Sequence, residues 1–461
     1  MRGEARSSRN SIPLNCAEKC LLALGGVHEP MLFHITLGFE GDIERVKLNQ
    51  AIALAQQAHP VMRTILRSRK LRLFREIQED LGKGVLTIAD QAQLQNTDYE
   101  SYRSSWMNKP LDINREFPVR VLLLTKNERE SSLVFTFHHS ATDGLRALLF
   151  VRQVIESYNG EFPKSSEAER YIRVNRKGDE LLEFARNQRS KMGRYRRKII
   201  SSLFHRFVIA ALPPPTRVFH DKWGRSRELR FCFEVMHREE LDRIQSGAKA
   251  AKVGLNDVFL AAGYRAVEQW NSMHGKRSGK IRIMAPVNIS PEGFSYVVSN
   301  QVSWLSLAAT RTNRTDPGKL LRIVRADTKD EIAHGAALSL VYFLYTCSRF
   351  PLFVLKGMCR FFMITRTYVD TILVTNLGFI WSRSDSQEAA VCGMGDARIL
   401  DVAVSAPVVT PMVLSIAAVT YNRNLKFCLS YRPAFFSERE AQMFLDLYVD
   451  EIKQHRGERS T

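Results

Sequence analysis

Phe137-His138-His139-Ser140-Ala141-Thr142-Asp143-Gly144 places a histidine pair where an apolar strand ends and an Asp-Gly step where a helix begins. Upstream, Ser132-Leu133-Val134-Phe135-Thr136-Phe137-His138 is short, β-branched and aromatic, and predicts a buried strand. Downstream, Leu145, Leu148, Leu149, Val151 and Ile155 recur at roughly helical spacing, with Asp143 set to cap the first turn. Adjacent strand residues point to opposite faces, so His138 and His139 do different jobs and are poorly placed to share a metal.

A strand end beside a helix start projects one imidazole into a cleft. Imidazole is the side chain whose ordinary pKa best suits proton abstraction near neutrality. No serine or cysteine sits in a nucleophile-elbow context, and Gly144 belongs to no Gly-x-Ser-x-Gly motif. The base therefore activates a nucleophile that the substrate brings. His139 is the candidate general base and His138 the structural partner. Asp143, at a helix start, is read as a rigid carboxylate that accepts backbone N–H bonds and pairs with an arginine. Gly144 is read as a site of close backbone approach whose N–H faces an oxyanion.

The segment His138 to Gly144 resembles the HHxxxDG signature of the CoA-dependent acyltransferase superfamily. Chloramphenicol acetyltransferase, nonribosomal-peptide condensation domains, polyketide-associated acyltransferases, alcohol acetyltransferases and bacterial wax ester synthases belong to it. Other elements resemble that superfamily in the same order along the chain. His59-Pro60-Val61-Met62-Arg63-Thr64 is similar to its HPxLRT helix end. Pro110-Leu111-Asp112 with Pro118-Val119-Arg120 is similar to PLD...PxR. Asn256 to Ala261 resembles NDVxLA, and Pro286-Val287-Asn288-Ile289 with Ser299-Asn300-Gln301 resembles PVNLR...GNQ. Thr375-Asn376-Leu377-Gly378 looks like SNLG. The resemblance runs from about Leu14 to about Ile452.

It implies a mixed α+β fold of two chloramphenicol acetyltransferase-like lobes in a V, with a central tunnel and the histidines at its middle. The expected partition is residues 1–178 as the first lobe, 179–225 as a basic linker, and 226–461 as the second lobe. It also implies acyl transfer from acyl-CoA, or a carrier-bound phosphopantetheine thioester, to a hydroxyl or amine, with no bound cofactor, no metal and no acyl-enzyme. Arg282 and Arg63 are the arginines expected to meet Asp143. Ser303, Asn300 and Asn376 are candidate oxyanion donors, each equally readable as a structural hydrogen bond. Two departures stand out. Ser290 replaces the arginine of PVNLR, and the Asp-Phe-Gly-Trp-Gly motif of condensation domains is absent, which favours a free-standing alcohol or amine acyltransferase.

At 461 residues the chain is long enough for two cores. Its start is polar, and Ile12–Leu24 is broken by Asn15, Glu18 and Lys19, so a cytoplasmic location is expected. Seven scattered cysteines read as reduced. The net charge of +19 is concentrated: Glu161–Arg230 holds 18 Lys plus Arg against 8 Asp plus Glu. Its densest part, Arg186–Lys198, is either a solvated linker face or a contact for CoA phosphates, an acidic carrier protein or an anionic membrane. The apolar stretches Ala336–Cys347 and Pro351–Ile364 are too short to span a bilayer. They are read as a buried helix or tunnel wall, with an interfacial helix as the alternative. Two other functions compete with free-standing acyl transfer. One is a condensation-like enzyme working with carrier proteins in natural-product biosynthesis. The other is a non-catalytic basic protein on membrane or nucleic acid, although the chain carries no nucleic-acid motif.

Overall fold

A computed structural model describes residues 10–25, 31–69, 71–90, 94, 98–127, 129–161, 179–188, 214–222, 224, 226–290, 297–365, 370–381, 393–410 and 412–455. The basic stretch Arg186–Lys198 lies outside them from residue 189 onward, as does Cys392.

The first lobe is built on β2 (Leu32–Glu40), β5 (Leu86–Ala89), β6 (Val119–Thr125) and β7 (Glu130–His138). Helices α2 (Arg45–Ala58) and α4 (Gly144–Tyr158) pack together on the face that carries Phe33, Phe135 and Phe137. Phe150, Val151, Val154 and Ile155 of α4 are fully buried there, each stabilising by roughly 1.5–3 kcal/mol. That periodic stripe is why the segment after Asp143 is helical. A small sheet of β1 (Ser11–Pro13), β4 (Arg72–Ile77) and β3 (Thr64–Arg69) lies beside it, in the order β1-β4-β3.

The second sheet runs β10-β9-β11-β14-β15-β8. Its strands are β8 (Arg230–Met236), β9 (Ile281–Asn288), β10 (Val302–Ala309), β11 (Ile372–Phe379), β14 (Leu414–Tyr421) and β15 (Asn424–Tyr431). Helices α7 (Leu255–Met273), α8 (Pro317–Ala333), α9 (Ala336–Ser348) and α11 (Glu438–Lys453) contribute to its core.

The lobes do not divide the chain as the sequence suggested. β12 (Gly393–Met394) and β13 (Ala397–Val404), far into the second half, complete the first sheet, with Arg398 opposite Glu40 and Val404 opposite Ile35. In return, α1 (Cys16–Leu24) sends Cys16, Ala17, Cys20 and Ala23 into the core of the second lobe. Leu181 and Ala185 of α5 (Glu180–Asn187) join that core too, so this part of the expected linker is packed structure. The exchange places lobe-crossing elements around the histidine pair.

Of the two apolar stretches, α9 is a buried helix, with Leu340, Val341 and Leu344 in the core. By contrast, α10 (Leu352–Thr365) buries Leu355 but leaves Phe353 and Phe361 exposed. Among the described residues, no helix is long and apolar enough to cross a membrane. The six described cysteines are free thiols.

Candidate active site

β7 ends at His138, and the chain turns into α4 within five residues. The two imidazoles separate as strand alternation requires. His138 Nδ1 accepts from the Ser140 hydroxyl at 2.8 Å, and burial, then the charge of Arg75, push its pKa down to about 3. It is a neutral hydrogen-bond acceptor inside the loop.

His139 faces the other way. Its backbone N–H is anchored on the Met31 carbonyl at 2.6 Å, and Phe33 meets its ring edge-on at 5.2 Å. Nδ1 lies 3.1 Å from the Thr142 carbonyl, an acceptor with no proton to give, so Nδ1 carries the hydrogen. The Asn300 amide donates to the His139 carbonyl at 2.6 Å and lies farther, at 3.3 Å, from Nδ1. Nε2 is left with its lone pair. Burial lowers the pKa of His139 below the ordinary imidazole value, partly offset by its own and the Thr142 backbone and by Asp143. Near neutral pH it is therefore an uncharged base.

Asp143 caps α4 and ties it to the opposite lobe. One carboxylate oxygen accepts the Arg146 N–H at 3.0 Å, and the other accepts the Gln301 N–H at 2.8 Å. Neither expected arginine meets it. Arg282 is paired with Asp370 at 2.9 Å, and Arg63 donates to the Gln78 carbonyl at 3.2 Å. The correction has a simple cause: a carboxylate at a helix start finds backbone donors already aimed at it. Gly144 packs against Leu377 of β11, and a Cβ there would lie 2.9 Å from a Leu377 methyl, which would have to turn aside. The guanidinium absent at Ser290 is replaced in space, because Arg146 reaches from α4 to the Ser290 hydroxyl and to Gln301 Oε1.

The three oxyanion candidates are all engaged with protein acceptors. Ser303 donates to the Ala337 carbonyl at 2.8 Å, and Asn376 donates to Asn256 Oδ1 at 2.7 Å. Asn300, bound to the His139 backbone, does not line the cavity. Gly144 does, at the N-terminal end of α4, where unpaired N–H groups and the helix dipole favour negative charge.

Several residues at the site escaped sequence reasoning. Arg75 of β4 is buried behind the histidine loop and donates to the Ser140 carbonyl at 2.6 Å. Its charge faces Glu18 of α1 at 3.5 Å, and burial, opposed by Arg75, raises the Glu18 pKa to about 7. Asn15 caps α1 and donates to the Asn300 carbonyl at 3.0 Å, linking α1 to the residue that holds His139. Asn15-x-x-Glu18 is a capping-box pattern, the one signal in the sequence for this network.

His139, Asp143 and Gly144 open onto a cavity of about 450 Å³ between the lobes, within the size range of ligand sites. Its walls are mostly apolar, from Leu21, Phe33, Phe259, Met284, Leu373 and Met412 among others. Among the described residues, no group of three or more His, Cys, Asp or Glu could hold a metal ion.

The fold and this site define a two-lobed protein with one histidine facing the cavity at the junction. Residues 28–275 match the family model of the condensation domain, and the chain belongs to that family of acyl- and peptidyl-transferring domains. Two uncharacterised proteins from strains of Mycobacterium tuberculosis are each 25% identical over 289 residues, 60% of this chain and 62% of theirs. Bacitracin synthase 1 of Bacillus licheniformis is 26% identical over 141 residues, 29% of this chain and 3% of that synthase. Among solved structures, the first condensation domain of the calcium-dependent antibiotic synthetase, in complex with a substrate analogue, superimposes with a TM-score of 0.70 at 15% identity, covering 96% of this chain and 95% of that one. A mutant starter condensation domain of rhizomide synthetase, in complex with C8-CoA and Leu-SNAC, has a TM-score of 0.67 at 12% identity, covering 98% and 95%. These likenesses show the two-lobed condensation fold expected from the sequence.

Proposed function

We propose that this protein transfers an acyl group from the thioester of an acyl-CoA, or of a carrier-bound pantetheine, to a hydroxyl or amine acceptor. The observation that carries the reading is the neutral His139, its Nδ1–H fixed on the Thr142 carbonyl, in the wall of an apolar cavity. Nε2 takes the acceptor proton as the acceptor attacks the thioester carbonyl. The oxyanion forms near the start of α4, where the Gly144 N–H is the donor we assign. Collapse expels the thiolate, and His139 returns the proton to sulfur. No serine or cysteine enters the sequence of steps, and the enzyme carries no acyl group.

The match to condensation domains supports a second reading, in which carrier proteins deliver the donor, the acceptor or both in natural-product assembly. The complete histidine site weighs against a purely binding role. Arg186–Lys198 is where we place contact with the acidic donor or an anionic membrane. Thiol release measured with acyl-CoA and with acyl-carrier donors tests the proposal. Release from acyl-CoA supports the first reading, release from the carrier alone the second, and none from either removes both.

A further inference from the structure

The second sheet contains a fork. β9 and β11 pair in parallel only at Ile283–Ile372 and Met284–Leu373. Each then continues along its other neighbour, β9 with β10 as far as Asn288 and β11 with β14 as far as Phe379. Beyond the last shared pair, Ala285–Asn288 forms one tine and Val374–Leu377 the other, and both line the cavity. Pro286 fits that position, since a residue without an N–H belongs where a strand has no partner on that side.

The fork explains why one cavity reaches apolar clusters on both faces of the second sheet. Phe259, Leu260 and Leu305 belong to the core between the sheet and its helices. Leu373, Met412 and Ala417 belong to a cluster of which Met284 and Val409 are also part. Ile283 and Met284 are strand neighbours on opposite faces of the sheet, one in each cluster. A cavity bounded by both clusters therefore passes between the tines, through the sheet. The charged residues in its lining are Asp143, held by backbone N–H groups, and Asp370, held by Arg282 and Ser306. What passes here is uncharged, apolar and no wider than the gap between two strands.

We propose that the fork between β9 and β11 is a binding channel for a long, linear hydrocarbon chain on one of the substrates, with Ala285 setting its bore. The identity of the chain as an acyl group rests on the acyl-transfer reading, but the channel is tested by binding alone. A fluorescent pyrene-labelled dodecanoic acid is titrated into the full-length protein and into the His139→Ala variant, then competed with acetyl-, octanoyl- and dodecanoyl-CoA. Both proteins are expected to bind the probe, with dodecanoyl-CoA the strongest competitor and acetyl-CoA the weakest. Each added methylene should tighten binding by up to about fourfold, the equivalent of ~0.8 kcal/mol per buried CH2. Ala285→Phe, or Val287→Phe should the first not fold, narrows the gap and should weaken probe binding by about tenfold or more, the loss of roughly two such methylenes. Ala308→Phe, on the exposed outer strand, should leave it unchanged. Equal binding by Ala285→Phe and the parent, or competition independent of chain length, would overturn the channel. A protein that binds the probe in this way yet releases no thiol keeps the channel and loses the acyl-transfer reading. Thiol release from acetyl-CoA without probe binding keeps the acyl-transfer reading and loses the channel.

Discussion

The two six-stranded sheets differ in continuity. In the first, β2 and β7 stay in register over nine positions, from Leu32 opposite His138 to Glu40 opposite Glu130. In the second, β9 and β11 share two positions and part. The unbroken β2–β7 ladder ends one residue before His139 and can hold an imidazole to a fixed place, which positional catalysis needs. The forked sheet gives up ladder bonds and yields space. On the proposed reading one lobe positions and the other admits, and His139 stands where they meet.

The rigid side can be broken at its back. Arg75→Met removes the partner of buried Glu18 and the donor to the Ser140 carbonyl, and is expected to cost about 3–5 kcal/mol in denaturant unfolding. The cost should grow with pH. The Glu18 pKa of about 7 lies above its unfolded value, so the proton-linked stability it contributes is full below pH ~4.5 and lost as pH rises through 7. Without Arg75 the carboxylate is costlier still, so an unfolding penalty that shrinks from pH 5 to pH 8 would contradict this account.

Like-for-like truncations sharpen the contrast. Leu133 lies fully buried in β7, whereas Leu373 borders the cavity at the fork. Leucine-to-alanine changes in cores cost about 2–5 kcal/mol, with the larger values where neighbours cannot relax. Leu133→Ala should fall near the top of that range and Leu373→Ala near the bottom. Equal losses would mean that the second sheet is as tightly filled as the first.

A smaller effect is expected at the seam. Asp143→Ala removes the cap of α4 and strands the Gln301 N–H, and should cost about 1–3 kcal/mol. Asp143→Asn keeps one acceptor and should cost less, with little movement of the pH–rate profile. Loss of the acid limb in a well-folded Asp143→Asn protein would show that the carboxylate does more than hold the loop.

Much of the seam was legible in the sequence, and its failures are specific. The strand–turn–helix around His139 was readable because short-range periodicity, a capping aspartate and a glycine agree locally. The opposed facing of His138 and His139 followed from strand alternation alone. The arginine partners of Asp143 were misassigned because nothing local says which strand a guanidinium will meet, and Arg282 found Asp370 instead. β13 was missed because its pairing with β2 joins residues more than 350 positions apart, as Arg398 to Glu40 shows. In Ile12–Leu24, Asn15 and Glu18 read only as polar interruptions, yet they are the cap and the buried acid of the histidine support. The fork had one visible trace, a proline inside an otherwise ordinary strand.

The most direct test of the central claim is the pH dependence of thiol release from an acyl-thioester donor, in the parent protein and in His139→Ala and His138→Ala. Burial places the His139 pKa below about 6.5, so activity should hold at neutral pH and fall only as pH drops through that lower value. His139→Ala should lose roughly 10²–10⁴-fold in turnover with its unfolding midpoint nearly unchanged. His138→Ala should mainly lose stability, because it removes the acceptor of the Ser140 hydroxyl. Retention of more than a few per cent of turnover by a folded His139→Ala protein, roughly the floor set by general-base loss, would contradict the assignment.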